Sequence, residues 1–347
     1  MYYTSLERMC SLFDKYSRKD RMDLSSREAL SQWQKKARAT LSSLLAMERI
    51  EKGEKDPILI EKEKLEGGII REKWLLESEK DIMLPFYILI PEGAGENTPI
   101  YLSAPGHLGG GKEALVGNRE NPLVSQKIDH YGYDYALYLA ERGNVAVAFD
   151  PRGFGERRER NEWGEENILS SSCYGLAHMA ESLGLTLLGL LTYDAMRIID
   201  YLEERKEWGE IRAIGFSGGG MQTLYLAALD ERVKVAVISG YFYGFKDSFV
   251  RLNTNCSCNF VPSLFLHFDV ADIAGLIAPR PLVIQSARED HLAGERGLEN
   301  VLEPMEELKK VYSLLGAENR ICHHIVGGPH HFEKEGIMEA IDSVCLH

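Results

Sequence analysis

The sequence predicts an α/β protein: a mostly parallel central sheet of about eight strands, covered by helices on both faces, with an N-terminal helical extension. Two observations carry this expectation. From about residue 70 onward, short β-rich runs alternate with longer helical stretches. Several of those runs, VAVAF and VKVAVIS among them, lack the in-and-out alternation of a half-exposed strand, so they read as strands buried on both sides.

Residues 1–65 form the expected helical extension. Within it, residues 26–46 place Leu30, Trp33, Ala37, Leu41 and Leu44 on one face, with Lys and Arg elsewhere. That face can pack on its own chain or on a second copy, which leaves a homo-oligomer open. Residues 66–347 form the α/β domain. Strands are expected at 70–76, 86–90, 100–104, 145–149, 211–216, 233–239, 281–285 and 320–326. Helices are expected near 133–142, 184–205, 218–228, 300–315 and 334–345. The short SEKDIM connection suits an antiparallel pair at the start of the sheet. Two segments, 151–183 and 240–278, are too long for plain connections and are expected to shape a pocket.

Composition narrows the function. The chain has 347 residues, is 44% hydrophobic and 27% charged, and carries 40 Lys+Arg against 53 Asp+Glu for a net charge of −13. Nucleic acid and anionic membrane are disfavoured partners, because both are held by an excess of Lys and Arg. The N-terminal MYYTSLERMC lacks the basic and apolar regions of a signal peptide, and the apolar run at 183–191 is far short of the roughly 20 residues that span a bilayer. A cytoplasmic protein is expected. The six cysteines are scattered and expected as thiols. Cys256 and Cys258 form a C-x-C pair without a second pair, which reads as packing or a loop role and not as a metal site.

The strongest chemical signal is Gly215-Phe216-Ser217-Gly218-Gly219, between the strand IRAIGF and the helical run that follows. A serine on so sharp a strand-to-helix turn exposes its hydroxyl, and small neighbours let strand and helix backbones pass closely. Its hydroxyl needs a base to take the proton and an acid to orient that base. Downstream of PRPLVIQS, the loop ARED offers Asp290, with Glu289 as a competitor. After the strand RICHHIV, the loop GGPHHF offers His330 and His331. His323 and His324 are adjacent on that strand and point to opposite faces, so the four histidines do not form a metal set. An oxyanion would need two donors. The expected pair is the Gly218 N–H and the His107 N–H, the latter in the glycine-rich loop after PIYLSA. That loop also fits G-x-x-x-x-G-K over residues 106–112, but Glu113 stands where a phosphate loop has Ser or Thr on magnesium.

The segments PGHLGGGKE, VAVAFDPRGFGERRER, IGFSGGGMQTLYLAALD, NTNCSCNFVPSL, DIAGLIAPRPLVIQSAREDHL and GGPHHF resemble the dienelactone hydrolase and acetyl xylan esterase-like branch of the α/β-hydrolase superfamily. The resemblance runs from about residue 65 to the end. It implies Ser217 as nucleophile, Asp290 as acid in preference to Glu289, His330 as base in preference to His331, and His107 as second oxyanion donor. Dienelactone hydrolases proper use a cysteine nucleophile, so Ser217 leans towards ordinary esters. The implied activity is serine ester hydrolysis through an acyl-enzyme, removing a small acyl group such as acetyl from a carbohydrate or small ester, with no metal or organic cofactor. The alternatives are an amide, peptide or thioester hydrolase using the same triad, and a catalytically silent binding protein. Tyr241, Phe242, Cys258 and Phe260 are expected near the pocket. Arg152, in the Asp-x-Arg-Gly turn after Phe149, is expected to tie loops together or to touch substrate.

Overall fold

Nine strands form a single sheet in the order β1-β2-β3-β5-β4-β6-β7-β8-β9 in the computed structural model, which describes residues 3–252 and 255–345. The first three, β1 (Ile58–Lys64), β2 (Ile70–Glu79) and β3 (Ile82–Ile90), are antiparallel, and β3 also runs against β5. The remaining pairs are parallel: β4 (Ile100–Ala104), β5 (Val145–Phe149), β6 (Ile211–Phe216), β7 (Val235–Ser239), β8 (Leu282–Ala287) and β9 (Ile321–Val326).

The strand β5 shows why the sheet is covered twice. Val145, Val147 and Phe149 enter one apolar core, while Ala146 and Ala148 enter the other. On the first face lie the helices Leu187–Arg205, Gly218–Leu229 and Glu299–Leu315; on the second lie Tyr135–Ala140 and Ile337–Cys345.

The sequence expectation needs one correction here. Residues 1–65 are not helical throughout: the helices Leu6–Tyr16 and Arg27–Leu44 are followed by β1, which brings the sheet from the expected eight strands to nine. This strand lies at the sheet edge with Ile58, Leu59 and Ile60 all exposed, so it carries no apolar alternation to announce it. The extension itself packs on its own chain. Leu30, Trp33, Ala37 and Leu41 are buried, and each fully buried leucine contributes about 2 kcal/mol. Gln34 donates to the carbonyls of Gly275 (2.9 Å) and Ala278 (2.8 Å). Arg18 forks onto Asp272 (2.7 and 2.9 Å) and also reaches Glu307 (2.7 and 3.1 Å).

Candidate active site

Ser217 stands between β6 and the helix Gly218–Leu229 with φ 58° and ψ −120°. A non-glycine residue there is strained, so the surroundings must hold it. Its amide donates to Ser239 O at 2.9 Å, and its carbonyl accepts from Met221 N at 3.0 Å. A Cβ on Gly219 would lie 1.8 Å from Ala104 O, so only glycine lets this helix start pass so close to β4.

Asp290 follows β8, and His330 lies in the loop between β9 and the helix Ile337–Cys345. The His330 Nδ1 and the Asp290 Oδ2 are 2.7 Å apart, and Asp290 Oδ1 accepts from Leu292 N at 2.9 Å. The imidazole lies against the Phe216 ring, centroids 4.5 Å apart. Its other nitrogen, Nε2, is buried and has no hydrogen-bond partner among the described residues. Ser217 and His330 line the same cavity of about 350 Å³. Glu289 is exposed, with its amide on Gly328 O at 3.0 Å. His331 turns its Nδ1 to Pro329 O at 2.7 Å. His323 lies by Ser286 Oγ (3.2 Å) and His324 by Glu335 O (3.2 Å), and neither borders the cavity.

His107 and Gly218 meet at the cavity wall. A Cβ on Gly218 would lie 2.5 Å from His107 Nδ1, so a larger residue could not accept the imidazole there. The Tyr133 hydroxyl donates to His107 O at 2.5 Å and fixes the loop after β4. Gly218 opens a helix, where the first amides have no acceptor within the helix itself.

Other positions depart from expectation. Tyr241 lines the cavity, with its hydroxyl on Asn259 Oδ1 at 2.9 Å, but Phe242 is buried in the core and does not reach it. Phe260 also turns away, its ring packed on Phe249 and Phe265. Arg152 points into the protein: it bonds Asp194 (3.0 and 3.1 Å) and Glu79 (2.6 Å) and borders no part of the cavity. It therefore braces the turn after β5 instead of meeting substrate. Lys112 of the glycine-rich loop is fully buried on Asp150 (2.8 Å), Glu156 (2.5 Å) and Glu113 (3.2 Å), so three carboxylates occupy the cation a phosphate would need. These acidic partners outweigh the burial that would discharge it and push its ammonium above the ordinary lysine range.

The cavity also takes residues that carried no sequence signal. Tyr131, Tyr133, Tyr243, Asn255, Asn259 and His291 line it. Burial holds the Tyr241 and Tyr243 phenols well above their ordinary range, which keeps them neutral donors. Among the described residues no Lys or Arg borders the cavity.

The cysteines require the largest revision. Cys258 is buried and does not line the cavity, whereas Cys256 does; the Cys258 Sγ lies 3.6 Å from His107 Nε2. Cys173 Sγ, from the opposite excursion, is 3.5 Å from the same nitrogen, and Cys256 completes the group. The C-x-C pair is therefore not isolated. Burial opposes charging of His107, but facing Cys173 and Cys256 outweigh it and raise the imidazole well above its usual range. Hydrogen bonds from Cys173 and Cys258 pull the Cys256 thiol far below its own.

Comparison with known proteins agrees with this architecture. A candidate hydrolase of Bacillus subtilis strain 168, YtaP, is 28% identical over 284 residues, covering 78% of this chain and 85% of that one. Among solved structures, a candidate acetyl xylan esterase from Bacteroides fragilis superposes with a TM-score of 0.75 at 19% identity, over 96% of this chain and 84% of the other. A glucuronoyl esterase from Solibacter usitatus gives 0.64 at 14% identity, over 95% and 96%. At such identities the likeness to the solved structures is one of fold, the α/β-hydrolase fold. The Abhydrolase family model (Abhydrolase_7) matches residues 11–292, and with most of its length so matched this chain belongs to that family.

Proposed function

We propose that the protein is a serine carboxylic-ester hydrolase working through Ser217, His330 and Asp290. The observation that carries this reading is the convergence of a strained serine and an imidazole on one cavity. One imidazole nitrogen is held by a carboxylate and the other has no hydrogen-bond partner among the described residues. Asp290 fixes the ring with its proton on Nδ1, which leaves Nε2 as the base. His330 takes the Ser217 proton as Oγ attacks the ester carbonyl. The Gly218 and His107 amides receive the oxyanion. His330 then returns the proton to the departing alkoxide, and in the second half-reaction it activates water against the acyl-enzyme.

The cavity supports a neutral ester of modest size. Its volume of about 350 Å³ is at the small end for ligand sites, and its wall offers tyrosines and asparagines but, among the described residues, no Lys or Arg. Aromatic faces with neutral hydrogen-bonding groups suit a sugar; both esterases named above agree with a carbohydrate ester as substrate, and the acetyl xylan esterase with an acylated one. A small acyl group such as acetyl fits this chemistry. An amide, peptide or thioester would use the same groups but is not favoured by any feature of the wall.

The test is Ser217→Ala assayed on p-nitrophenyl acetate and on acetylated sugars. Loss of about 10⁴-fold or more in kcat is expected, with the fold intact by circular dichroism. Activity within a few-fold of wild type overturns the mechanism. A wild-type protein more active on methyl-esterified uronic acids than on acetylated sugars overturns the substrate class.

A further inference from the structure

We infer that His107, Cys173, Cys256 and Cys258 form a structural zinc site that anchors the oxyanion loop. One ligand atom from each residue lies within 4.8 Å of every other. The distances from His107 Nε2 to Cys173 Sγ (3.5 Å) and Cys258 Sγ (3.6 Å) test the geometry. Zinc–sulfur arms of about 2.3 Å and zinc–nitrogen arms of about 2.1 Å, at the tetrahedral angle, put sulfur and nitrogen about 3.6 Å apart. Two edges of the cluster thus already match a tetrahedron around one ion, and the other ligand atoms lie within 4.8 Å of one another.

The donor set selects the ion. Three thiolates and an imidazole in tetrahedral array favour zinc over magnesium, calcium or manganese, which prefer oxygen. Four protein ligands leave no open position for water or substrate, so the ion is structural. Loaded, the site holds three thiolates and a neutral imidazole around the dication and so carries a single net negative charge. His107 binds as neutral imidazole and gives up any proton it holds in the metal-free state.

The position of the site gives it a purpose. Cys173 opens the helix Cys173–Ser182 in the first long excursion, while Cys256 and Cys258 belong to the second. His107 is in the loop after β4, with its carbonyl held by Tyr133 and its ring against Gly218. An ion on Nε2 ties all three segments together and sets the His107 backbone where the proposed oxyanion hole needs it. That second statement rests on the esterase reading; the metal site itself does not.

The experiment measures metal directly. Purified full-length protein is incubated with Zn²⁺ under reducing conditions, desalted, and assayed by elemental mass spectrometry. About one zinc per chain is expected, in wild type and in Ser217→Ala alike. Cys258→Ser and Cys173→Ser should each lose it, whereas Cys10→Ser, distant from the cluster, should keep it. Cobalt-loaded protein should show thiolate-to-cobalt charge transfer and tetrahedral ligand-field bands, which the two cysteine variants lack. Should those variants fail to fold, the zinc content and cobalt spectrum of wild type still decide. Folded wild type that retains no zinc, or that carries a disulfide within the cluster, overturns the inference. An active, metal-free protein sinks only this inference, and a zinc-loaded, inactive one sinks only the esterase reading.

Discussion

The strand ends and the two long excursions build the same cavity under different physical rules. Ser217, Asp290 and His330 sit just past β6, β8 and β9, whose registers are fixed by parallel pairing, reinforced in β6 and β8 by burial on both faces. The excursions over 151–183 and 240–278 instead fold back on each other where Cys173, Cys256 and Cys258 gather at His107, and the first is braced on the helix Leu187–Arg205 by the Arg152–Asp194 pair. Chemistry placed on a sheet edge inherits its position from the sheet. Chemistry placed on an excursion depends on side chains that hold one loop to another.

Substitutions that separate these two modes come in order of expected effect. Asp290→Asn should lower kcat by about 10³- to 10⁴-fold with little change in Tm, because the imidazole loses its orienting charge while the strands keep their place. A fall in Tm large enough to account for the lost activity would break the distinction. Arg152→Ala works on the other mode. It leaves Asp194 and Glu79 short of a partner in a buried site, and should cost about 3 kcal/mol in denaturant unfolding. The kcat of the folded fraction should remain within a few-fold of wild type, since Arg152 does not border the cavity.

Gly218→Ala sharpens the comparison at the point where the two modes meet. Its added Cβ collides with the His107 ring and should reduce kcat about 10²-fold while KM changes little. The smallest effect is expected at His323 on β9, where burial pushes the imidazole pKa down to about 4 from an ordinary 6.5. The unfolded chain binds a proton there below pH 6.5 that the folded chain refuses. Stability is therefore complete above pH 6.5 and falls as pH drops towards 4. His323→Gln should remove about 2 kcal/mol of that acid sensitivity without altering activity, read from urea unfolding at pH 7 and pH 4.5.

The same contrast explains what the sequence disclosed. The strands 100–104, 145–149 and 211–216 coincide with the observed ones because unbroken apolar runs between turn residues have a single sensible reading. Ser217 was legible from its glycine-flanked turn, and Asp290 and His330 from loops that follow such runs. Choosing them over Glu289 and His331 required resemblance, since adjacent loop residues differ in direction and not in pattern. Arg152, Phe242 and Phe260 are drawn towards the cavity by proximity in sequence, whereas Arg152 turns to Glu79 and Asp194, Phe260 to Phe249 and Phe265, and Phe242 into the core. Cys173 lies some 80 residues from Cys256 and shares no spacing motif with it, so the fourfold cluster existed only in three dimensions. Edge strand β1 was invisible because solvent on its outer side removes the apolar signature.

The Arg18 fork has a consequence for how the protein is made. The N-terminal helices dock on Asp272, Gly275, Ala278 and Glu307, all near the far end of the chain. During synthesis the N-terminal segment therefore waits for its berth until the helix Val270–Gly275 has left the ribosome. A truncated product ending before that helix leaves the Trp33 ring without Gly275 and Gln34 without its carbonyl partners, which marks it for capture by chaperones or for degradation.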